Sequence, residues 1–218
     1  MKYQFEETIT SQEFARRVSR NPAWAGDLTK PVAVIDYCYL TDSPITHLSP
    51  LLHFVGDNGL GETAWFEDCK ALGVANGTYH GHVAFASCGL ARIDGLTITQ
   101  ANKNGTAASF YSCPSLAIAE GTYPGVVRFD FSGVERIGDL TIGMPNRQGL
   151  AASFFGCESL KVAEGIFTGH VDFSYSGIVR FGYLHTPTPR ADTPDYFRGC
   201  RKLYPKSESI DDYESEWL

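Results

Sequence analysis

The chain has 218 residues, of which 43% are hydrophobic and 13% aromatic, and its formal net charge at pH 7 is −7. A chain of this size and composition can bury a hydrophobic core, which excludes an intrinsically disordered protein. The negative charge leaves no basic face for a phosphate backbone, so the sequence predicts no nucleic-acid partner and favours a basic or neutral protein.

The N-terminal segment, residues 1–30, is predicted to form a helical cap. Thr10 begins a capping box that is followed by apolar residues at helical spacing. Pro22 then interrupts the pattern, so a helix is expected at about 11–20. Residues 31–37 follow as the first predicted strand.

The location of the protein is predicted from two further features. Residues 1–7 carry two acids where a secretory signal has a basic flank and an apolar segment. No run of roughly 18 apolar residues occurs, so neither a transmembrane helix nor a membrane partner is expected. The sequence thus predicts a cytoplasmic protein.

An internal repeat of 44 residues organises the chain from about residue 45 to 203. Residues 107–150 are identical to residues 151–194 at 19 of 44 positions, and residues 63–106 match residues 107–150 at another 19. Each unit contains two similar turns, which divide it into coils of about 19 and 25 residues. This self-similarity indicates a solenoid, in which stacked coils pair strand to strand at ~4.8 Å and bury one continuous core.

Three columns of aromatic residues recur with the repeat and are predicted to form the core. They are Phe66, Phe110, Phe154 and Phe197; Tyr79, Tyr123 and Phe167; and Phe85, Phe129 and Phe173.

The six cysteines are predicted to be small buried residues without disulfides, since the expected compartment is reducing. Cys69, Cys113 and Cys157 follow one another at 44-residue intervals. Two coils separate neighbours in this series, which gives ~10 Å and exceeds the reach of a disulfide.

The pattern Phe-x-x-Cys-x-x-Leu, present at 66–72, 110–116 and 154–160, resembles the BspA-like, or treponemal-type, leucine-rich repeats. The resemblance implies a β-rich (α/β) leucine-rich-repeat solenoid. With the cap at 1–30, the solenoid would cover residues 31–203, and residues 204–218 would form an acidic C-terminal tail or cap. Repeats of that family commonly occur on exported proteins that adhere to other molecules, which implies a surface adhesin.

The one periodic polar feature is an arginine in each second coil: Arg92, Arg136 and Arg180. Set beside the first coils, these would interleave with three aliphatic side chains: Val74, Ile118 and Val162. We call these six residues the arginine stripe. A mixed apolar and cationic stripe is typical of a protein interface. Alternatively, each arginine pairs with an acid such as Glu120 or Glu164 in a solvated ladder that contributes little.

A second candidate surface is the row of loops at 100–105, 143–149 and 186–192. Lys103 and Arg147 extend from these loops. Loops on a rigid scaffold often carry binding residues, and they serve equally as spacers between coils.

Sites for chemistry are scarce in the sequence. His80 and His82 would share one face of a strand, but no third ligand follows at metal-site spacing, so a surface or turn role is expected. Residues 56–62 are rich in glycine and acids but lack the pattern of a P-loop or an EF-hand, and they align with the loop at 143–149. No cofactor, metal or catalytic residue is predicted.

The sequence therefore predicts a non-enzymatic, protein-binding solenoid. A dedicated inhibitor or an immunity-type protein that neutralises one protein partner is the specific form of this prediction. The adhesin is the alternative, and an enzyme comes third, which a deep pocket with perturbed carboxylates or histidines would indicate.

Overall fold

The computed structural model describes residues 5–186 and 197–200, and within them the chain is β-rich, with sixteen strands and one helix. The helix α1 is Ser11–Arg20. The strands are β1 Glu7–Ile9, β2 Val32–Val34, β3 Cys38–Thr41, β4 Leu52–Phe54, β5 Glu62–Glu67, β6 Gly77–Tyr79, β7 His82–Ala86, β8 Leu96–Ile98, β9 Thr106–Ser109, β10 Ile118–Tyr123, β11 Val126–Arg128, β12 Arg136–Ile142, β13 Leu150–Ser153, β14 Val162–Ile166, β15 His170–Asp172 and β16 Arg180–His185.

Every pairing between these strands is parallel. The largest sheet has seven strands in the order β15-β13-β11-β9-β7-β5-β3, and a second has five in the order β1-β2-β4-β6-β8. Two further sheets have two strands each, β10-β12 and β14-β16. Neighbouring strands in a sheet therefore come from successive returns of the chain. The predicted β-rich class is confirmed, and the structure adds that the sheets are parallel.

The helix lies where the sequence predicted it. Thr10 is the N-cap, and its Oγ1 accepts a hydrogen bond from the Glu13 N–H at 3.2 Å. Phe14 and Val18 are buried, and the Phe14 ring packs edge-on against Phe54 at 5.6 Å between centroids. The described residues contain no helix that is long and apolar enough to span a membrane.

Residues 31–37 hold a strand, β2, as predicted, but it is the second strand of the chain and not the first. The short strand β1 precedes the helix and pairs in parallel with β2. The three residues of β1 are too few to show a strand pattern in the sequence. Only their backbone pairing with β2 identifies them as a strand. Residues 204–218, predicted as the acidic tail or cap, lie outside the described residues.

The predicted aromatic columns lie in the core, and two of them merge into one stack. Successive rings lie nearly parallel, with centroids 5.1 to 5.7 Å apart. In order along the stack they are Phe66, Phe85, Phe110, Phe129, Phe154, Phe173 and Phe197. Each coil thus contributes one ring, and each ring covers the faces of its neighbours.

A four-residue turn begins at many of these phenylalanines and accounts for the Phe-x-x-Cys motif. The N–H of the fourth residue donates to the phenylalanine carbonyl, as from Ser132 to Phe129 and from Cys157 to Phe154, both at 3.1 Å. The third residue takes a positive φ. The cysteine Sγ also reaches the preceding coil, as from Cys113 to the Phe85 carbonyl at 3.4 Å.

None of the six cysteines, all of which lie in the described part, forms a disulfide. The prediction is confirmed, but its reasoning missed Cys88, which lies one coil from Cys69 and one from Cys113. The Sγ atoms of Cys88 and Cys113 instead lie within hydrogen-bonding distance of carbonyls of the preceding coil. Burial raises the pKa of Cys113 and of Cys157 to about 11.

The ring stack predicts a large cost for removing one of its rings. Phe110→Ala should lower the free energy of unfolding by ~3–5 kcal/mol, because Phe110 is fully buried between two rings. Lys103→Ala, at an exposed position, is the control and should change it little. Denaturant melts measure both, and equal midpoints would show that the stack does not support the fold.

The cysteines predict a characteristic thiol titration. Denatured protein prepared without reductant should give six thiols. Native protein at pH 7.5 should react far more slowly, because burial raises the pKa of most of these thiols and leaves little thiolate. The native rate should rise as pH approaches 11. A count of four or fewer in the denatured sample would contradict the absence of disulfides.

Candidate functional site

The arginine stripe has the register that the sequence predicted. Ile118 pairs directly with Arg136 across β10 and β12, and Val162 pairs with Arg180 across β14 and β16. Val74 and Arg92 form the equivalent isolated bridge. The three aliphatic side chains are half-buried and the three arginines are exposed. Apolar and cationic groups thus alternate along one surface.

The charges of the stripe are only partly neutralised. Arg92 forms an ion pair with Asp94 at 2.6 Å rather than with Glu120, which the ion-pair alternative had named. Within the described chain, Arg136 and Arg180 have no acidic oxygen within 4 Å. The solvated ion-pair ladder is therefore wrong for these two arginines, whose guanidinium groups remain open to a partner.

The loops at 58–62, 102–106 and 146–150 are three copies of one turn. In each, an asparagine Oδ1 accepts N–H bonds of 3.0 to 3.3 Å from the residues two and four positions later. The glycine three positions after the asparagine takes a φ between +81° and +85°. The members are Asn58 with Gly61, Asn102 with Gly105, and Asn146 with Gly149.

These turns have a fixed shape, which agrees with a spacer role. Lys103 and Arg147 extend from them and are exposed. The Lys103 N–H donates to the Leu60 carbonyl of the preceding copy at 3.1 Å, which ties the two turns together. Of the third predicted loop, residues 187–192 lie outside the described residues.

The two neighbouring histidines do not form a pair on one strand. His80 lies between β6 and β7, and His82 begins β7 and is buried. The expected surface role was wrong for His82, because the Gly81 turn directs its side chain inward. Burial lowers the pKa of His82. In residues 5–186 and 197–200, no group of three or more His, Cys, Asp or Glu side chains could hold a metal ion.

The structure also contains a feature that the sequence reasoning missed, a file of aromatic side chains on the surface beside the seven-stranded sheet. Adjacent ring centroids lie 5.2 to 5.5 Å apart, at tilted or edge-to-face angles. Its members are Tyr111, Phe131, Phe155 and Tyr175. We call these four the aromatic row. Tyr111, Phe131 and Tyr175 are 46%, 47% and 46% exposed, so the rings form a continuous apolar surface.

Two members of the aromatic row have an unfavourable backbone conformation. Phe131 has a φ of +56° and Tyr175 a φ of +58°. This left-handed region costs an ordinary residue about 1–2 kcal/mol and is usually taken by glycine, asparagine or aspartate. The other coils place small or polar residues at this turn position: Asp42, Asp68, Ser87, Ser112, Gly156 and Gly199.

The fold holds these two aromatics in place and makes room for their rings. The Phe131 N–H donates to the Phe155 carbonyl at 2.8 Å, and the Tyr175 N–H to the Arg198 carbonyl at 2.7 Å. A Cβ added to Gly156 would lie 2.6 Å from the Phe131 ring, and one added to Gly199 would lie 2.5 Å from the Tyr175 ring. Glycine in the next coil therefore permits each ring to lie flat against the surface.

A signal for the aromatic row was present in the repeat. One aligned column holds Glu67, Tyr111 and Phe155, and another begins with Ser87 before Phe131 and Tyr175. Unlike the core columns, which are aromatic in every copy, these two columns mix aromatic residues with a glutamate or a serine.

Comparisons with models of known families, with curated proteins and with solved structures found no match to this chain. The function of its surfaces is therefore argued from their geometry and charge.

The positive φ of Phe131 and Tyr175 predicts that these two members of the aromatic row can be replaced with little loss of stability. Phe131→Asn combined with Tyr175→Asn should change the free energy of unfolding by no more than about 1 kcal/mol, because relief of positive φ offsets the lost ring contacts. The control Phe129→Ala, two residues away but buried, should cost ~3–5 kcal/mol. If the double asparagine variant loses more than about 2 kcal/mol in a denaturant melt, the rings serve the fold instead.

Proposed function

We propose that this chain is a non-enzymatic, leucine-rich-repeat-like solenoid that binds another protein, with the aromatic row as its main contact surface. The observation that carries the proposal is the position of Phe131 and Tyr175. Both expose nearly half of an aromatic side chain at a backbone conformation that disfavours it. Such strain, with no gain in burial, is characteristic of functional positions.

The aromatic row has the physical properties of an interface centre. Tyrosine and other aromatic residues are enriched in the cores of interfaces, where they exclude water from a large area. Their side chains have two rotatable bonds, so little entropy is lost when a partner immobilises them. The backbone beneath them is already hydrogen-bonded from coil to coil, which reduces the cost of ordering on binding.

The parallel pairing supports the solenoid part of the proposal. From β2 to β9 the strands alternate between the five-stranded and seven-stranded sheets, and from β9 to β16 they alternate between the seven-stranded sheet and the two-stranded sheets. The helix α1 supports the predicted cap, since Phe14 packs against Trp24 and Phe54 at the start of this array. A stack of coils leaves its end coils uncovered, and an apolar helix face covers one of them.

A dedicated inhibitor or immunity-type protein is the form of this function that we favour. A pre-ordered, acidic surface binds one partner of complementary shape without folding on binding, and the net charge of −7 speeds encounter with a basic protein. The arginine stripe is a second contact surface in this proposal, because Arg136 and Arg180 have no acidic partner among residues 5–186 and 197–200.

The proposal is tested by comparing variants against one captured partner. The wild-type chain is used to isolate a binding protein from its native cells, and affinity for that protein is then measured with Phe131→Asn/Tyr175→Asn. We expect at least a tenfold loss for this variant. A variant that folds and binds at wild-type strength would remove the aromatic row from the interface.

Affinity for the same captured partner also tests the arginine stripe and the loops that carry Lys103 and Arg147. The triple charge reversal at Arg92, Arg136 and Arg180 to glutamate should fold normally and lose less than about threefold, because exposed charges contribute little affinity. A larger loss here than for the aromatic variant would make the stripe the main surface. Lys103→Ala/Arg147→Ala is the matched control for the loops and should bind as the wild type does.

A further inference from the structure

A groove lies beside the aromatic row on the outer face of the seven-stranded sheet. Its volume is about 360 Å³. Trp65 of β5 forms one wall and Tyr111, which follows β9, forms the other. Between them, β7 contributes the small side chains Ala84 and Ala86 as the floor. The groove thus exists because β7 carries two alanines beside the larger Trp65 and Glu67 of β5.

The width of the groove suits one flat group. Trp65 pairs with Ala84, and Ala84 pairs with Ser109, two residues before Tyr111. The two walls are therefore two strand spacings apart, or ~10 Å. A planar group that contacted both walls would need ~7–8 Å between them, so ~10 Å admits one such group from solvent, and the group stacks on one wall at a time.

The chemistry of the groove suits a cation. The Trp65 Nε1 is buried, so the exposed surface of the indole is carbon. Glu67 lines the groove, and its carboxylate accepts a hydrogen bond from the Tyr39 hydroxyl at 2.5 Å. No lysine or arginine of the described chain pairs with Glu67 within 4 Å. Lys70, whose Nζ donates to the carbonyl of the groove residue Ser87, is paired with Asp68 at 2.8 Å.

The next unit of the chain fills the equivalent space with its own ion pair. Arg128 and Asp130 stand 44 residues after Ala84 and Ala86, at the same positions of the next repeat unit. There the Arg128 Nη1 lies 3.7 Å from the Asp130 Oδ2. The third unit has Asp172 and Ser174 at these positions. Of these three units, the one that contains the groove is thus the one with alanine at both positions, which leaves space open beside aromatic walls and a carboxylate.

We propose that the groove binds an arginine side chain of the partner protein. The guanidinium lies between Trp65 and Tyr111 and donates to the Glu67 carboxylate. A planar cation gains from aromatic faces and from a forked hydrogen bond to a carboxylate, which favours arginine over lysine. This inference rests on the proposed function, since it names a residue that the partner presents next to the aromatic row.

The site can be tested without the partner. The probe is N-acetylarginine amide, titrated into the ¹⁵N-labelled chain while the indole N–H signal of Trp65 is followed by NMR, with Trp65→Phe identifying that signal. We expect a saturable shift in the millimolar range. The isosteric, uncharged N-acetylcitrulline amide should produce little shift, and N-acetyllysine amide should bind at least threefold more weakly.

Variants complete the test. Glu67→Gln should weaken the arginine probe at least fivefold, and Ala84→Leu, which fills the groove without adding charge, should abolish its effect. Glu135→Gln, an exposed glutamate elsewhere, is the matched control and should bind as the wild type does. Equal binding of the citrulline or lysine probe, or an unchanged affinity in Glu67→Gln, would overturn the arginine site. The aromatic row is measured against a whole partner, so either result can fail while the other stands.

Discussion

A four-residue turn with a buried phenylalanine at its first position is the element on which the rest of the structure depends. It directs one ring inward, where the rings of successive coils stack at 5.1 to 5.7 Å. Two positions later the backbone takes a positive φ, which directs the side chain at that position outward. The core stack and the aromatic row are therefore two sides of one turn, as Phe129 and Phe131 illustrate. A change that moved the turn would disturb both.

The surfaces of the chain differ in chemistry and are arranged on different sheets. The aromatic row and the adjoining groove share Tyr111, so a partner that covers the row reaches the groove without a gap. Apolar contact would supply most of the affinity there, and Glu67 would fix the register of the partner through one charged residue. The arginine stripe lies on the two-stranded sheets and on the isolated bridge between Val74 and Arg92, and it presents the opposite charge. One chain can thus present two chemically distinct contacts.

The core and the stripe could be predicted from the sequence because the repeat shows them directly. A column that is aromatic in every copy has to be buried, and alternation along the strand from the buried Ala119 places Ile118 outside. The aromatic row could not be found in this way. Phe131 stands two positions after Phe129, so alternation assigns both to the same side, and only the positive φ at Phe131 reverses that assignment. The groove depends on side chains from three coils that are distant in sequence.

The turn position occupied by Phe131 and Tyr175 keeps the same backbone whether it holds aspartate, serine, glycine or an aromatic residue. Its conformation is determined by hydrogen bonds between coils and by the ring stack beneath, and so is independent of the side chain that it displays. Identity at these corners is thereby free to drift while the architecture stays constant. Point substitutions at these few turn positions can therefore change the binding target during evolution. Protein design can use the same positions to change specificity without altering the fold.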